Sequence, residues 1–202
     1  MYCMNIKNRK KNGIFFFMHT FTTKYDLLLA GTAKIPKNSL KLPEGLKIEI
    51  VNEDNFELIK IYDKQFHSID RSDLLRIAFI KPPFRRSKIA IRDGKCVGYG
   101  CIRYSDGSWN NICPLVGENA SIAEMILQEL ISDFKLEGQQ LDIYIPAENS
   151  NQAVPLLGKY GIDKPQEVLP MMSTDVEKGN AICEKIPWNK LFGHLVDYVT
   201  MI

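Results

Sequence analysis

The sequence lacks an apolar run of the roughly 20 residues that a membrane-spanning helix needs. It also has little excess charge, since 26 lysines and arginines against 24 acidic residues give a net charge of +2. This is too small to indicate a nucleic-acid partner. The five cysteines include no pair at CxxC spacing, so we predict no metal site and no disulfide framework. What remains is an ordinary globular composition, 45% hydrophobic and 25% charged.

The N-terminus has basic residues ahead of a short apolar stretch at residues 14–18, which resembles a signal peptide in outline. No small-residue cleavage site follows it. We therefore predict a cytoplasmic protein without a membrane partner. Cys96 and Cys101 fit a reducing compartment as small buried residues of a strand.

Consecutive β-hairpins are predicted near the centre of the chain. The run KIAIRD leads into Asp93-Gly94, a dipeptide typical of two-residue hairpin turns, and CVGYGCIRY continues beyond it. A second turn is predicted at Asp106-Gly107, followed by a third strand over residues 109–115. Gly117 lies in the short loop after that strand, and an apolar stripe with helical spacing begins near Asn119. Because the first N–H groups of a helix have no intrahelical acceptor, this loop predicts an anion site.

Two short helices are predicted before the hairpins. Residues 46–51 alternate as a first strand, and Asp54 is the predicted N-cap of a helix that continues to Phe66. A second helix is predicted from Ser72 to about Phe79, ahead of two prolines.

After the central helix the pattern alternates again between strand and helix. Gly138 is the predicted C-cap of the central helix, and residues 141–145 form a strand that ends at Pro146. Asn149 or Ser150 caps a further helix that stops at Gly161. Final strands are predicted at residues 168–173 and 181–185, whereas residues 188–202 have no assigned form.

This order of elements resembles the GNAT acyltransferases. The resemblance rests on YDKQFHSIDRSDLL, KCVGYGCIRY, NICPLV followed by ENASIAEMILQEL, and DIYIPAENSNQAVPLLGKYGI, over about residues 46–173. In detail it is similar to the C-terminal domain of paired-GNAT proteins of the YitH/HsdA type, a family with many nematode members. The implied fold is α/β (α+β), with a mixed, mostly antiparallel sheet of six to seven strands flanked by about four helices.

The resemblance also divides the chain into two regions. Residues 46–202 are expected to form the GNAT-like domain, and residues 1–45 a disordered N-terminus and a proline-containing linker. Between the N-terminus and this linker, residues 21–33 (FTTKYDLLLAGTA) have strand character and look like the tail of a preceding GNAT domain. On this interpretation the chain is expected to have lost most of a first domain.

A GNAT fold implies acetyl-CoA as cosubstrate, with its pyrophosphate on a Q/R-x-x-G-x-G/A loop. The corresponding segment here is Pro114–Ala120, which keeps Gly117 but has Pro114 at the basic or amide position and Asn119 at the last small position. Glu118 adds a negative charge that would repel a pyrophosphate by about 3–4 kcal/mol, or else favours the helix N-terminus by about 0.3–1 kcal/mol. The resemblance implies the following cofactor-binding residues: Cys113, Leu115, Val116, Gly117, Asn119, Ala120 and Asn149.

The catalytic and acceptor residues are less well defined. With the register set by Gly161-Ile162, the family's tyrosine acid falls on Leu157, which cannot transfer a proton. His67 and Glu148 are the remaining candidate bases. Asp70 and Arg71 match an Asp-Arg pair of the family, and they are either substrate contacts or an ion pair that fixes the helix turn.

Two functions stay open from the sequence. The first is an N-acetyltransferase that acts on a small-molecule or protein amine. The second is a non-catalytic GNAT-like module that packs against a partner domain or a second subunit, favoured by the departures at Pro114, Glu118 and Leu157. No nucleic-acid partner is expected in either case.

Overall fold

Eight strands and four α-helices make up the part of the chain that the computed structural model describes, namely residues 20–38, 40–66, 70–80, 85–104, 110–173 and 187–193. The strands are β1 (Thr20–Thr32), β2 (Leu46–Ile50), β3 (Arg85–Arg92), β4 (Lys95–Tyr104), β5 (Asn110–Gly117), β6 (Gln140–Pro146), β7 (Ile162–Ser173) and β8 (Leu191–Gly193). The helices are α1 (Glu53–Asp63), α2 (Ser72–Phe79), α3 (Ala120–Asp133) and α4 (Ser150–Lys159). Short 3₁₀ turns occupy Ala147–Asn149 and Trp188–Lys190.

The strands form one mixed sheet in the order β2-β3-β4-β5-β6-β1-β7, with β8 paired to β5. Strands β5 and β6 are parallel, and the other neighbouring pairs are antiparallel. The predicted fold class is confirmed, with one strand more than the predicted range. The described part of the chain contains no helix that could cross a lipid bilayer.

The β3–β4 hairpin turns at the predicted dipeptide, where Asp93 and Gly94 both adopt positive φ, 51° and 71°. A register shift follows between Ala90 and Ile91, so that Cys96 and Cys101 belong to the same core cluster. Both thiols are buried, as predicted.

Strand β5 contains a bulge at its middle. Cys101 of β4 lies opposite two residues, Cys113 and Pro114, because the register passes from Ile102–Ile112 to Gly100–Leu115. The peptide bond between Cys113 and Pro114 is cis. Proline has no N–H to donate to a ladder. The pairing of β5 with β6 ends at Ile112 and Ile143, just before this bulge.

The helix termini correct two predictions. Helix α1 is capped by Asn52, not by Asp54: the Asn52 side chain accepts the N–H of Asn55 at 3.1 Å, and the Asn55 side chain accepts the N–H of Asn52 at 2.9 Å. Helix α3 ends about one turn before Gly138. Lys135 takes the left-handed conformation there, with a φ of 53°, and Leu136 N–H bonds to Ile131 O at 2.9 Å. Helix α2 has its predicted bounds.

Two apolar cores lie on the two faces of the sheet. One is built around α3 and α4, with Ile126, Leu130 and Leu157 among its fully buried residues. The other lies under α1 and α2 and includes Tyr99 and Cys113.

Strand β1 lies inside the sheet, between β6 and β7. From the sequence, we expected this segment to belong to an N-terminal region outside the GNAT-like domain. Gly31 lies against the turn after α4, where a Cβ would come 1.8 Å from the carbonyl oxygen of Gly161. The segment after β1 also packs on the domain: Gln128 of α3 bonds both the N–H and the carbonyl of Leu40, at 2.9 and 3.3 Å. The origin of β1 as a remnant of another domain stays a prediction. The strand predicted at residues 181–185 lies outside the described residues.

Candidate functional site

The parallel strands β5 and β6 part beyond Ile112 and Ile143, where their pairing ends. We call the space between the two strands beyond this point the notch. Its β5 wall is formed by Leu115 and Val116, which lead to Gly117. Its β6 wall leads into Asn149. The notch thus brings together the predicted cofactor-binding residues of β5 and the start of α4.

The loop between β5 and α3 places the first amides of α3 at the end of the notch next to Gly117. Gly117 is required here by close approach, because a Cβ would lie 2.7 Å from the backbone nitrogen of Ala123. Asn119 caps α3 by accepting the N–H of Ile122 at 3.0 Å. The amides of Ala120 and Ser121 begin the helix and have no intrahelical acceptor, so they are suited to bind an anion.

Glu118 does not leave this loop with an uncompensated negative charge. Arg92, at the end of β3, bonds its carboxylate at 2.6 Å, and both side chains are about one-third exposed. The Glu118 N–H bonds Val97 O at 2.8 Å, which holds the loop against β4 and within reach of Arg92. The loop therefore carries a cation in addition to the helix amides.

Asn149 lies on the opposite side of the notch. It is 1% exposed, and its side-chain amide donates to the carbonyl of Leu191 at 3.0 Å. Among the described residues, its side-chain oxygen has no hydrogen-bond partner. A buried amide oxygen of this kind can accept a donor from a ligand.

Strand β8 lies in the notch. Leu191 pairs with Val116 and Gly193 with Leu115 in an antiparallel arrangement. The side chain of Leu191 belongs to the core under α1 and α2, and that of Phe192 to the core under α3 and α4. The slot that the sequence predicted for a cofactor is thus lined by the predicted residues and is filled by the chain itself.

Asp70 and Arg71 have structural partners at the junction of α1 and α2. The Arg71 guanidinium bonds both carboxylate oxygens of Asp63, at 2.7 and 3.2 Å, and Tyr99 donates its hydroxyl to Asp63 at 2.6 Å. Burial, and then the charge of Asp63, raise the pKa of Tyr99. Asp70 is exposed and accepts hydrogen bonds from the hydroxyl of Ser72 and from its N–H, the latter at 2.9 Å, and the hydroxyl first and then the N–H lower its pKa. Arg71 thus pairs with Asp63, and Asp70 bonds to Ser72.

Glu148, one of the two candidate bases, is exposed on the 3₁₀ turn after β6. It lies near Asp26 of β1, which pairs with Pro146 and is 8% exposed. Burial, and then the charge of Glu148, raise the pKa of Asp26 to about 7. His67, the other candidate, lies outside the described residues.

The position predicted for a general acid is closed to solvent. Leu157 and Tyr160 of the α4 region are both fully buried. Burial, followed by the carboxylate of Glu124, raises the pKa of Tyr160 above its ordinary range. Tyr160 is therefore a packing residue.

A mixed sheet with a parting parallel pair, next to a helix N-terminus, defines an acyltransferase-type domain. A family model described as "Acetyltransferase (GNAT) domain" matches residues 59–182, so the chain belongs to the GNAT family. Members of this family use acetyl-CoA as cosubstrate and act on amines. No curated protein matches the sequence.

Solved structures have the same fold. A protein from Pyrococcus horikoshii matches with a TM-score of 0.53 and 19% identity over 89% of this chain and 53% of that one. A GCN5-related N-acetyltransferase from Sphaerobacter thermophilus gives a TM-score of 0.52 and 15% identity, over 76% of this chain and 52% of that one. A tandem GNAT protein from the clavulanic acid biosynthesis pathway gives a TM-score of 0.50 and 11% identity, over 76% and 55%. The chain spans about half the length of these structures.

Sequence reasoning missed three features of the site. Arg92 could have been found, because the hairpin register and the loop after β5 bring the ends of β3 and β5 together. Asp26 had a signal too, since it is an acidic residue inside the apolar strand run KYDLLLAG. Strand β8 had none, because a three-residue strand has no measurable period.

Proposed function

We propose that this domain binds acetyl-CoA and transfers its acetyl group to a primary amine. The single observation that carries the proposal is the notch, where β5 and β6 part beside Gly117 and the N-terminus of α3. The family supplies the reaction class, and the residues of the notch supply the means of binding.

The pyrophosphate is assigned to the amides of Ala120 and Ser121. Gly117 permits the close backbone approach, and Asn119 fixes the first turn of the helix. Arg92 is within hydrogen-bond distance of Glu118 and can exchange that carboxylate for a phosphate oxygen. The attraction between Arg92 and the phosphate opposes the repulsion from Glu118, which stays a competitor for the same cation.

The pantetheine arm is assigned to the notch itself. Backbone groups of Cys113, Leu115 and Val116 lie along one wall, and Asn149 lies on the other. The unpaired side-chain oxygen of Asn149 fits an amide N–H of the arm. Acetyl-CoA supplies an activated acyl thioester at this position.

When the acceptor amine forms its bond to the acetyl carbon, the thioester C–S bond breaks, CoA leaves as the thiolate, and the amine gives up a proton. Asp26, whose pKa of about 7 suits a base at neutral pH, and the neighbouring Glu148 are the groups assigned to this proton. Asp70 and Arg71 belong to the α1–α2 junction, which we assign to the acceptor side, and His67 stays a candidate base.

A partner domain or second copy is part of the proposal. The resemblance to the C-terminal half of YitH/HsdA-type paired proteins and the tandem GNAT neighbour support it. An apolar groove of about 470 Å³ lies between α4 and the β1–β7 edge, lined by Leu27, Leu29, Val154, Pro165 and Val168 among others. We place this assembly in the cytoplasm.

Calorimetry of acetyl-CoA binding tests the pyrophosphate assignment. We expect Arg92→Gln to weaken binding about tenfold or more, because a charge-assisted hydrogen bond contributes about 1.5–3 kcal/mol. Glu118→Gln should strengthen binding, since it removes the competing carboxylate. The matched control is Lys135→Gln, which removes a cation just beyond the other end of α3.

Acetyl-pantetheine, which has no pyrophosphate, is the second control and should not distinguish Arg92→Gln from the parent. Equal acetyl-CoA affinity of Arg92→Gln and Lys135→Gln would contradict the assignment. The non-catalytic alternative predicts no heat of binding for the parent or for Glu118→Gln, even at millimolar acetyl-CoA.

A further inference from the structure

The chain holds the notch closed with its own C-terminal segment. Strand β8 pairs with β5 at Leu115 and Val116, beyond the point where β6 leaves that strand. The 3₁₀ turn Trp188–Lys190 leads into it. We call residues 188–193, the turn and β8 together, the closing segment.

The fit of this segment is close on both walls. A Cβ on Gly193 would lie 2.7 Å from Ile143 Cδ1 and 3.2 Å from the backbone nitrogen of Leu115. Glycine is therefore the residue that lets the backbone pass between the two strands. Leu191 and Phe192 are 4% and 0% exposed, and they fill the cores on opposite faces of the sheet.

Polar contacts hold the same segment. The carbonyl of Leu191 accepts the side-chain amide of Asn149 at 3.0 Å. The ammonium of Lys190 lies 5.7 Å from the centre of the Phe66 ring, just after the end of α1, a distance at which cation and ring attract. The segment thus contacts Asn149 on the β6 side of the notch and Phe66 on the acceptor side of the site.

We propose that the closing segment is an autoinhibitory element that competes with acyl-CoA for the notch. This inference rests on the proposed function, because it assigns the same groups (the β5 backbone at Leu115 and Val116, and the Asn149 amide) to both occupants. Two occupants cannot use them at once, so binding of acyl-CoA requires release of the strand. The apparent affinity for acyl-CoA is then reduced by the fraction of molecules in which the notch is open.

The length of the strand suits it to reversible release. Three residues make few backbone bonds, so little backbone pairing has to be broken to release them. The side chains of Leu191 and Phe192 contribute most to the binding of the segment, because both are almost completely removed from water. A partner that binds Leu191 and Phe192 outside the notch would activate the domain.

The test uses the full chain and the variant Gly193→Val, which blocks the strand from the notch without removing a core side chain. The matched control is Asn189→Val, in the same segment but with an exposed side chain. Hydrogen exchange of residues 111–117 without ligand should accelerate about tenfold or more in Gly193→Val and stay unchanged in Asn189→Val. Acetyl-CoA affinity, measured by calorimetry, should rise by a similar factor in Gly193→Val alone.

Leu191→Ala is a second, milder variant and should shift both measurements in the same direction. A synthetic peptide of residues 188–193, added to Gly193→Val, should restore protection and lower acetyl-CoA affinity. Unchanged exchange in both variants would overturn the placement of the strand. Faster exchange with parental acetyl-CoA affinity would overturn inhibition and leave the proposed function standing. Faster exchange without acetyl-CoA binding in any variant would overturn both.

Discussion

Arg71 and Arg76 both pair with a carboxylate, but under different degrees of burial. The Arg71–Asp63 side chains are 16% and 3% exposed, whereas those of Arg76 and Glu53 are 46% and 61% exposed. A buried charge that loses its partner is costly, while an exposed pair contributes little. The junction of α1 and α2 therefore depends on Arg71 and hardly at all on Arg76.

We expect Arg71→Gln to lower the free energy of unfolding by about 3 kcal/mol, because Asp63 would stay buried with its charge uncompensated. Arg76→Gln is the matched control and should change it by less than about 1 kcal/mol. Urea denaturation of the three proteins measures both values. Similar losses for the two variants would show that Arg71 does not anchor the junction.

Asp26 gives the domain a predictable dependence on pH. Its pKa is about 7 in the folded protein against an ordinary value of 3.8, so the folded form holds the proton more tightly than the unfolded form. The stabilisation is fully present below about pH 4 and is lost as the pH rises toward 7. Asp26→Asn removes this dependence and should raise stability at pH 8 relative to the parent by up to about 4 kcal/mol.

Thermal unfolding between pH 4 and pH 8 measures the effect of Asp26→Asn, and the difference from the parent should vanish near pH 4. Asp163→Asn, an exposed aspartate at the start of β7, is the control and should follow the parent. A difference that is the same at every pH would mean that titration of Asp26 is not its cause.

At the scale of whole elements, β1 is held by its neighbours at Gly31. Because a Cβ there would lie 1.8 Å from Gly161 O, Gly31→Ala should displace the strand or the turn and cost about 2 kcal/mol or more. Gly158→Ala in α4 meets only Asp163 Cβ, at 3.7 Å, and should be neutral or stabilising by about 0.5–1 kcal/mol. Urea midpoints compare the two. A neutral Gly31→Ala would mean that β1 is dispensable to the sheet.

The elements that sequence predicted well have strong local signals. Helix α2 begins at Ser72 and stops at Phe79 shortly before two prolines, and the Asp93-Gly94 turn has the chemistry of a tight hairpin. Helix ends were less predictable, because several neighbouring residues can cap. Asn52 prevailed over Asp54 through its reciprocal bonds with Asn55, and Lys135 ended α3 without a glycine.

The candidate site was predictable on its β5 side and not in its tertiary contacts. Gly117, Asn119 and Asn149 lie where the motif places them. Arg92 came into the site through sheet register, over a separation of 26 residues from Glu118, and Asp26 through long-range pairing of β1. The content of the notch could not be read from local patterns, because it is supplied by a distant segment.

At the scale of the molecule, the segment that fills the notch also connects the notch to the rest of the fold. Strand β8 links the β5 wall of the notch to both cores, and Lys190 links it to the end of α1. The two occupants of the notch would therefore differ in effect beyond the notch itself. Release of β8 removes packing from both faces of the sheet, whereas ligand binding replaces only the contacts along β5 and with Asn149.

The position of β1 in the sheet also has a consequence during translation of the protein. This strand is translated before both of its sheet neighbours, β6 and β7, which follow more than a hundred residues later. At about 5–20 residues per second, its apolar run Leu27–Leu29 waits for roughly ten seconds before either neighbour exists. During that interval a nascent chain needs shelter from aggregation, which makes the growing polypeptide a natural client for chaperones that act at the ribosomal exit.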